Sequence, residues 1–350
     1  MPRLEALATA VPDTRLEQSE VREALAALLA DSPSLHRVLD AFDRAGIATR
    51  YVAKPTNWYL DPQGWRSRSE AYVEEGMKVS VAAATAAIEK AGVPAAAVDG
   101  IVFVSTTGVA TPSLDARLQN ALGCRRDVLR VPLWGYGCAG GVAGLNRTAD
   151  LARAHPDKRF LLVTLELCSL NFRLQARSKK HLIANALFAD GAAAALVTGD
   201  ALAGTGPRIG RGMSHTWPGT EHLMGWIVED DGLDVVFDAS IPDVVRDHIA
   251  PVTHRFLKEA TNGQPPTRHV LHPGGAKILE AYADAMGLDA AALQVSYDTL
   301  RDYGNLSSPT VLFALERSLR TPLRTGETAL LAAMGPGFAA EFGLLEGTDS

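Results

Sequence analysis

Cysteine is scarce in this chain of 350 residues: it occurs three times, at Cys124, Cys138 and Cys168, and never as a CxxC pair. An odd, unpaired set argues against a disulfide framework and against a zinc site, and it is typical of a reducing cytoplasm. Long apolar runs are also missing, since none reaches the length of a membrane-spanning helix, and the first residues lack a signal-peptide pattern. The sequence therefore predicts a cytoplasmic protein with neither a metal site nor a membrane segment.

An excess of positive charge is absent too. The formal net charge is −6, and lysines and arginines are spread singly along the chain. This distribution lacks the electrostatic footprint of a protein that binds nucleic acid or a membrane surface. Hydrophobic residues make up 47% and charged residues 21% of the chain, so we expect a soluble enzyme with a substantial core.

Strand-like and helix-like segments alternate along the chain, on roughly the same plan in both halves. Short apolar runs such as residues 101–105 and 160–165 are of the kind that is buried in a parallel sheet. A glycine-rich segment, residues 204–212, lies between the halves. We therefore predict an α/β protein with two similar units, residues 1–203 and 204–350.

The stretch LWGYGCAGGV, residues 133–142, places Cys138 between a strand-like run and a helix. From Cys138 onward, Val142, Leu145 and Ala149 recur at helical spacing. Unpaired N–H groups and the positive end of the helix then face the thiol, and such a position lowers the pKa of a cysteine and favours the nucleophilic thiolate. The alternative is a small buried residue that packs as a hydrophobe in a glycine turn.

Two further polar residues lie at junctions between elements. His272, in VLHPGGAK, follows a buried strand, and strand ends are where sites assemble in open α/β sheets. Asn305, in YGNLSSP, precedes a helix for which we predict Ser308 as N-cap and Pro309 as first residue. Taken singly, His272 is explained by a Pro-Gly turn and Asn305 by a left-handed turn. Together with Cys138 they form a nucleophile and two hydrogen-bond donors suited to an oxyanion or an enolate.

The residue types alone leave the reaction open, because a Cys–His–Asn set also serves hydrolases. A nucleophile turn of the α/β-hydrolase kind has glycine two residues before the nucleophile. This chain has Tyr136 there, which counts against that interpretation.

Five stretches carry a resemblance to a known family: GYGCAGGVAGLNRTADL around Cys138, ALFADGAAAALV around Phe188, HPGGAKIL around His272, GNLSSPTVLFALE around Asn305 and MGPGFAAEFGLL around Gly335. In these stretches, and roughly from residue 45 to 345, the chain resembles the type III polyketide synthases, the chalcone synthase family of the thiolase-like superfamily. The resemblance implies a thiolase-like fold with duplicated halves in a five-layer αβαβα sandwich, and a homodimer.

The resemblance also implies a reaction. Cys138 would carry the acyl chain, with His272 and Asn305 as its partners. A starter acyl-CoA would be extended with malonyl-CoA by iterative decarboxylative Claisen condensation and then cyclised to a pyrone, a resorcinol or a related polyketide. The coenzyme A thioesters are substrates, and we expect no metal or redox cofactor.

Other family positions carry over to this chain by motif. Phe188 corresponds to the aromatic gatekeeper between the coenzyme A tunnel and the cavity, and Thr111 to a residue that reaches across the dimer interface. Arg50 lies in the segment that contacts coenzyme A phosphates, and Lys277 is expected to contribute to the same contact. The full substrate-binding set implied by the resemblance is Arg50, Thr106, Thr111, Cys168, Asn171, Phe188, Val235, Lys277, Ser307, Gly335 and Pro336.

The chain departs from plant chalcone synthases at three of these positions. Val235 stands where a second gatekeeper phenylalanine is expected, and Cys168 and Asn171 replace two cavity threonines. The ELCS pattern is similar to bacterial members, including tetrahydroxynaphthalene synthases and alkylpyrone or alkylresorcinol synthases. We predict that Val235 widens the cavity for an aliphatic starter. For Cys168 two interpretations stay open, a cavity-lining residue and an inert buried thiol.

Two alternative functions share the fold. One is the ketoacyl synthase III type of enzyme, which condenses once with a malonyl group on a carrier protein. The motif MGPGF, residues 334–338, favours the polyketide branch over it. The other is a catalytically silent thiolase-fold scaffold, which has no need for an intact Cys–His–Asn set.

Overall fold

We describe the protein from a computed structural model, in which residues 1–29, 31, 37–174 and 178–348 are described. Residues 175–177, part of the polar loop predicted between residues 171 and 181, lie outside this set. Among the described residues, none of the helices combines the length and the apolar character that crossing a membrane requires.

Thirteen strands and ten α-helices occur in the described part of the chain. The strands are β1 (Arg3–Ala10), β2 (Thr14–Glu17), β3 (Thr49–Val52), β4 (Gly100–Val104), β5 (Leu129–Leu133), β6 (Arg159–Leu167), β7 (Asp190–Thr198), β8 (Arg208–Thr216), β9 (Met224–Glu229), β10 (Gly232–Phe237), β11 (Arg268–Leu271), β12 (Thr328–Gly335) and β13 (Ala339–Glu346). The helices are α1 (Gln18–Leu28), α2 (Asp40–Arg44), α3 (Trp65–Lys90), α4 (Leu114–Leu122), α5 (Gly140–Ala154), α6 (Lys179–Leu187), α7 (Ile241–Thr261), α8 (Ala276–Met286), α9 (Gln294–Tyr303) and α10 (Thr310–Ser318).

Nine strands form one large mixed sheet that is made of two half-sheets. The first half-sheet has the order β5-β4-β6-β7-β1, and the second has the order β8-β13-β12-β11. They meet where β1 and β8 pair through a single residue pair, Arg3 with Arg208. Every residue of β4 and of β7 is buried, as expected for strands covered by helices on both faces.

Helices cover and separate the half-sheets. Helices α3 and α4 pack on the outer face of the first half-sheet, and α7 and α8 pack against the second. Helices α5 and α10 contact each other and strands of both half-sheets, and they lie in the central core. The succession helix, sheet, helix, sheet, helix is the five-layer arrangement of the thiolase-like fold, and it confirms the predicted fold class.

Several local features differ from the sequence prediction. Strands β2 and β3, which pair antiparallel, were not predicted, and residues 48–59 were expected to be irregular. Helices α2, α6 and α9 were not predicted, and α6 begins inside the polar loop expected between residues 171 and 181. The division of the chain at residue 203 stays a prediction, because the two half-sheets share the layer of α5 and α10.

Candidate active site

Cys138 lies in a single 3₁₀ turn, Gly137–Ala139, directly before α5. The backbone N–H of Gly137 donates to Oγ1 of Thr106 over 3.0 Å, which ties the turn to the end of β4. On the other side Gly335 packs so closely that an added Cβ would lie 2.5 Å from the carbonyl oxygen of Tyr136. The strand-to-helix turn is therefore held from two neighbouring elements, and it needs glycine at the point of contact.

His272 and Asn305 lie in the same pocket as Cys138. The pocket has a volume of about 20 Å³. A space of that size admits about one water molecule, so an acyl group must displace neighbouring side chains. The remaining lining residues are mostly apolar: Met224, Phe237, Ile241, Gly274, Ile278, Met334 and Phe338.

His272 follows β11, and its backbone N–H donates to the carbonyl oxygen of Ala332 over 2.8 Å. Neither ring nitrogen has a hydrogen-bond partner among the described residues. Burial lowers the pKa of His272 to about 3, so the imidazole is neutral at physiological pH. A neutral ring with two unengaged nitrogens can accept a proton at one and donate a hydrogen bond from the other.

Asn305 is fixed by three contacts. Its Nδ2 donates to the carbonyl oxygen of Gly274 over 3.1 Å, and its Oδ1 accepts from the N–H of Ser307 over 2.8 Å. Its backbone bridges to Phe188, at the end of α6. The side-chain amide is thereby held at the pocket of Cys138.

The electrostatics of Cys138 differ from the sequence prediction. Burial raises the pKa of its thiol to about 11, while interaction with the side chains of Ser307 and Asn305 lowers it by less. The thiol donates to Oγ of Ser307 over 3.7 Å. The predicted lowering of the Cys138 pKa by the helix end is therefore wrong, because the cost of burying a thiolate exceeds the favourable contacts.

Glu166, which the sequence reasoning missed, lies at the centre of a buried network next to this turn. Its Oε2 accepts from the N–H groups of Thr106 and Thr107 and from the hydroxyl of Thr107, over 2.8 to 2.9 Å. Its Oε1 accepts from Oγ of Ser308 over 2.9 Å. Burial raises the pKa of Glu166 to about 7 despite these bonds. The sequence signal that was overlooked is a charged residue inside the apolar run FLLVTLEL.

A larger pocket of about 520 Å³ opens near the surface beside α6 and α8. Three basic residues, Arg44, Lys179 and Lys277, are among its lining residues. It shares Phe237, Gly274 and Ile278 with the small pocket of Cys138. These three residues therefore form the boundary between the basic entrance and the thiol.

The chain matches two family models, chalcone and stilbene synthases, N-terminal domain, over residues 3–201, and the C-terminal domain of the same family over residues 209–348. The chain belongs to the chalcone and stilbene synthase family. Its members are type III polyketide synthases, which are acyl-transferring enzymes, and this chain is one of them. The match decides against the ketoacyl synthase III alternative and against an unrelated hydrolase.

Individual relatives agree with this assignment. The 1,3,6,8-tetrahydroxynaphthalene synthase of Streptomyces peucetius subsp. caesius is 42% identical, across 97% of this chain and 92% of the relative. The crystal structure of the Streptomyces coelicolor A3(2) synthase of the same name superposes with a TM-score of 0.94 at 30% identity, across 99% of this chain and 100% of that chain. CsyB, solved in complex with CoA-SH, has a TM-score of 0.91 at 25% identity, across 99% and 100% of the two chains.

The two residues predicted to form the gate, Phe188 and Val235, lie in one buried cluster. Cys168, Phe188 and Val235 are buried together with Ala184. Trp226, on β9, pairs with Val235 of β10, and its ring centroid lies 6.4 Å from that of Phe188. The sequence reasoning missed Trp226, whose ring packs against the cluster that contains Val235. That Val235 widens the cavity for an aliphatic starter stays a prediction.

Several residues of the predicted substrate-binding set contact the Cys138 turn and its surroundings, and their part in substrate binding stays a prediction. Gly335 and Pro336 pack against the Cys138 turn. Asn171 donates from Nδ2 to the carbonyl oxygen of Thr107 over 2.8 Å. Thr111 lies on an exposed loop, outside the pocket of Cys138.

The prediction that Arg50 contacts the phosphates of coenzyme A is wrong. The strand β3 alternates inward and outward residues, and Arg50 faces inward, with only 1% of its surface exposed. Its guanidinium donates to the carbonyl oxygens of Asn185 and Phe188, next to Asp190. A phosphate cannot reach it, because the side chain is enclosed. Arg44, Lys179 and Lys277 are the basic groups that face the entrance pocket.

Proposed function

We propose that Cys138 is the acyl-carrying nucleophile of this polyketide synthase, with His272 and Asn305 as its catalytic partners. One observation carries the proposal: three side chains from three separate strand-to-helix or loop-to-helix junctions line the same small pocket. Any two of these residues are at least 33 positions apart along the chain, so they have no local reason to meet, and each brings the chemistry that acyl transfer requires.

Loading begins from a neutral pair. The thiol of Cys138 and the imidazole of His272 both carry no charge at neutral pH. His272 therefore acts as general base: it takes the thiol proton while sulfur attacks the thioester carbonyl of the starter acyl-CoA. The tetrahedral intermediate collapses, coenzyme A leaves with the proton, and the acyl group remains on sulfur.

Extension uses the two donors. Malonyl-CoA loses carbon dioxide, and the resulting enolate oxygen accepts hydrogen bonds from the ring N–H of His272 and from Nδ2 of Asn305. The enolate carbon attacks the acyl carbonyl on Cys138, the C–S bond breaks, and Cys138 leaves as a thiolate. The chain, longer by two carbons, is now a thioester of coenzyme A, and Cys138 attacks this thioester to take the chain back for the next extension. Release of carbon dioxide supplies the driving force, so the cycle requires neither a metal nor a redox cofactor. The chain then cyclises to a pyrone, a resorcinol or a related polyketide.

The entrance pocket is the proposed site of coenzyme A. Arg44, Lys179 and Lys277 supply positive charge at its lining, which suits the phosphates of coenzyme A. The residues shared with the Cys138 pocket give the pantetheine arm a route to the thiol. CsyB, which has the same fold, was solved in complex with CoA-SH, and this supports coenzyme A as a ligand of the fold.

A homodimer is the proposed assembly. Strand β5 is an edge strand of the large sheet, and exposed apolar side chains lie on it and near it: Val109 is 50% exposed, Leu129 43% and Trp134 57%. Unpaired edges and apolar patches are normally covered in the native assembly. Thr111, on the adjoining exposed loop, is then placed to reach toward the partner's cavity. A cytoplasmic location stays a prediction.

Product analysis tests the function. The purified enzyme is incubated with malonyl-CoA alone and with medium-chain, long-chain and aromatic acyl-CoA starters, and products are identified by mass spectrometry. We expect cyclised products with more than one malonyl-derived unit. Extension only by carrier-bound malonate, and only once, would show a ketoacyl synthase III activity. A strong preference for an aromatic starter would contradict the expected aliphatic one.

A further inference from the structure

Helix α6 forms the wall between two spaces of this enzyme. Lys179, Ile183 and Leu187, spaced four residues apart, face the entrance pocket. On another side of the same helix Ala184 packs with Phe188 and Val235 in the gate cluster. The position of α6 therefore affects both the entrance and the gate.

A hydrogen-bonded series fixes α6 to β10. Nε2 of His181 lies 2.7 Å from Oδ1 of Asp234, and Nδ1 of the same ring lies 2.7 Å from Oγ of Ser178. Both ring nitrogens are engaged, and His181 and Asp234 are each only 9% exposed. Lys180 and Arg173 also approach the carboxylate of Asp234, so it stays ionised.

Ser178, His181 and Asp234 are the residue types of a hydrolytic triad, but their surroundings are not those of a hydrolytic active site. Ser178 is the N-cap residue of α6, three residues before His181, and its hydroxyl contacts the His181 ring instead of capping a backbone N–H. None of the three residues lines the pocket of Cys138. The contact that reaches beyond α6 is His181 with Asp234.

Each residue of that contact lies close along the chain to one of the two gate residues. Asp234 directly precedes Val235 on β10. His181 is seven residues before Phe188, so two helical turns bring both to the same face of α6. A rigid link at this point holds the helix face that carries Phe188 against the strand that carries Val235.

We infer that His181 and Asp234 are positioning residues that set the separation of Phe188 from Val235, and thereby the size of the acyl starter that reaches Cys138. This inference rests on the proposed function, in which Phe188 guards the path of the starter. Release of the link lets the two gate residues move apart and admits a longer chain.

A matched pair of variants isolates the link. His181→Gln keeps a nitrogen near the position of Nε2, so it can still donate to Asp234. His181→Asn keeps the contact with Ser178 but is too short to reach Asp234. Lys180→Gln removes the positive charge next to Asp234 and leaves the contact between His181 and Asp234 in place. Asp234→Ala removes the partner of His181 and so breaks the link from the β10 side.

The experiment is a competition within one tube. Each enzyme receives malonyl-CoA and equal amounts of hexanoyl-CoA and dodecanoyl-CoA, and mass spectrometry gives the ratio of long-starter to short-starter products. The ratio does not depend on how much of the variant is folded. We expect His181→Asn and Asp234→Ala to raise it at least about fivefold, and His181→Gln and Lys180→Gln to stay within about twofold of the wild type.

Two negative outcomes are distinct. A wild-type ratio in both link-breaking variants, or an equal shift in His181→Gln, overturns the positioning role and leaves the proposed function intact. Absence of any product and of any acyl adduct on Cys138 in the wild-type enzyme overturns the proposed function, and the inference with it.

Discussion

Ser308 donates a hydrogen bond from Oγ to Oε1 of Glu166 over 2.9 Å, and this contact joins the two halves of the chain beside the turn that carries Cys138. Glu166 ends a strand of the first half-sheet, and Ser308 precedes α10. Ser308 also packs on α5, where a Cβ on Gly141 would lie 2.3 Å from the Ser308 carbonyl oxygen. The geometry of the nucleophile turn thus depends on residues from both halves.

Replacement of Glu166 by glutamine tests this network through its pH dependence. The amide oxygen fits the position of Oε2, which accepts three hydrogen bonds, and the amide nitrogen fits that of Oε1 and donates to Ser308. The pKa of Glu166 is raised from 4.5 to about 7, so the wild type is progressively destabilised as pH rises through that window. Between pH 4.5 and pH 8 we expect the free energy of unfolding of Glu166→Gln to rise by about 3 kcal/mol relative to that of the wild type.

Urea unfolding at several pH values measures this difference. Profiles of wild type and Glu166→Gln that run parallel from pH 4.5 to pH 8 would contradict the raised pKa. The comparison uses the change in the difference and not its absolute size, so a constant cost of the substitution does not affect it.

The protonation state of Cys138 has a kinetic consequence. With the pKa of the thiol raised to about 11, only a small thiolate fraction reacts with iodoacetamide at neutral pH. We expect the alkylation rate at Cys138 to rise about tenfold per pH unit from pH 7 to pH 9, without a plateau. Peptide mass spectrometry separates this site from Cys124 and Cys168. A rate that is already constant above pH 6 would show a thiolate–imidazolium pair in the resting enzyme.

Gly335 should not tolerate a side chain. In Gly335→Ala the new methyl would meet the carbonyl oxygen of Tyr136 at 2.5 Å and the amide nitrogen of Ala139 at 2.7 Å. The backbone must shift, and we expect a loss of about 1–3 kcal/mol in stability and at least about tenfold in kcat/KM. Gly64→Ala, where the methyl meets nothing within 4 Å, is the control and should keep wild-type activity. Equal activity of both variants would count against the close packing.

The basic residues of the entrance pocket should act on the nucleotide part of the substrate. We expect Lys179→Ala and Lys277→Ala each to raise KM for an acyl-CoA about three- to tenfold, because a phosphate contact is lost. The corresponding N-acetylcysteamine thioester has no phosphate and serves as the matched control. If KM rises equally for both substrates, the lysines do not bind coenzyme A phosphates.

Much of the fold followed from local patterns, and the failures have physical causes. Helix α9 was not predicted because its buried face is made of Ser296, Thr299 and Leu300, which give little apolar periodicity. Ser296 is satisfied instead by a hydrogen bond to the backbone of Leu271, far along the chain. Strand β3 is four residues long, and its partner β2 lies more than thirty residues away, so its existence depends on a nonlocal pairing.

The candidate site, like the fold, was predicted only in part. Glycine-marked junctions were sufficient to select Cys138, His272 and Asn305. The pKa of Cys138 was mispredicted because the helix-end argument holds for an exposed thiol, whereas this one is only 6% exposed. Ser308, predicted as the N-cap of α10, gives its hydroxyl to Glu166, and Pro309 occupies the cap position. Such cross-chain contacts have no local signature in the sequence.

The most direct test of the central claim is the intact mass of the enzyme during turnover. Wild-type protein mixed with a starter acyl-CoA should gain the mass of one acyl group, and after a pulse of malonyl-CoA should show species that grow by two-carbon ketide units. Cys138→Ala should show neither species. A wild-type enzyme that forms no adduct, or an adduct that persists in Cys138→Ala, would contradict the assignment of Cys138 as the acyl carrier.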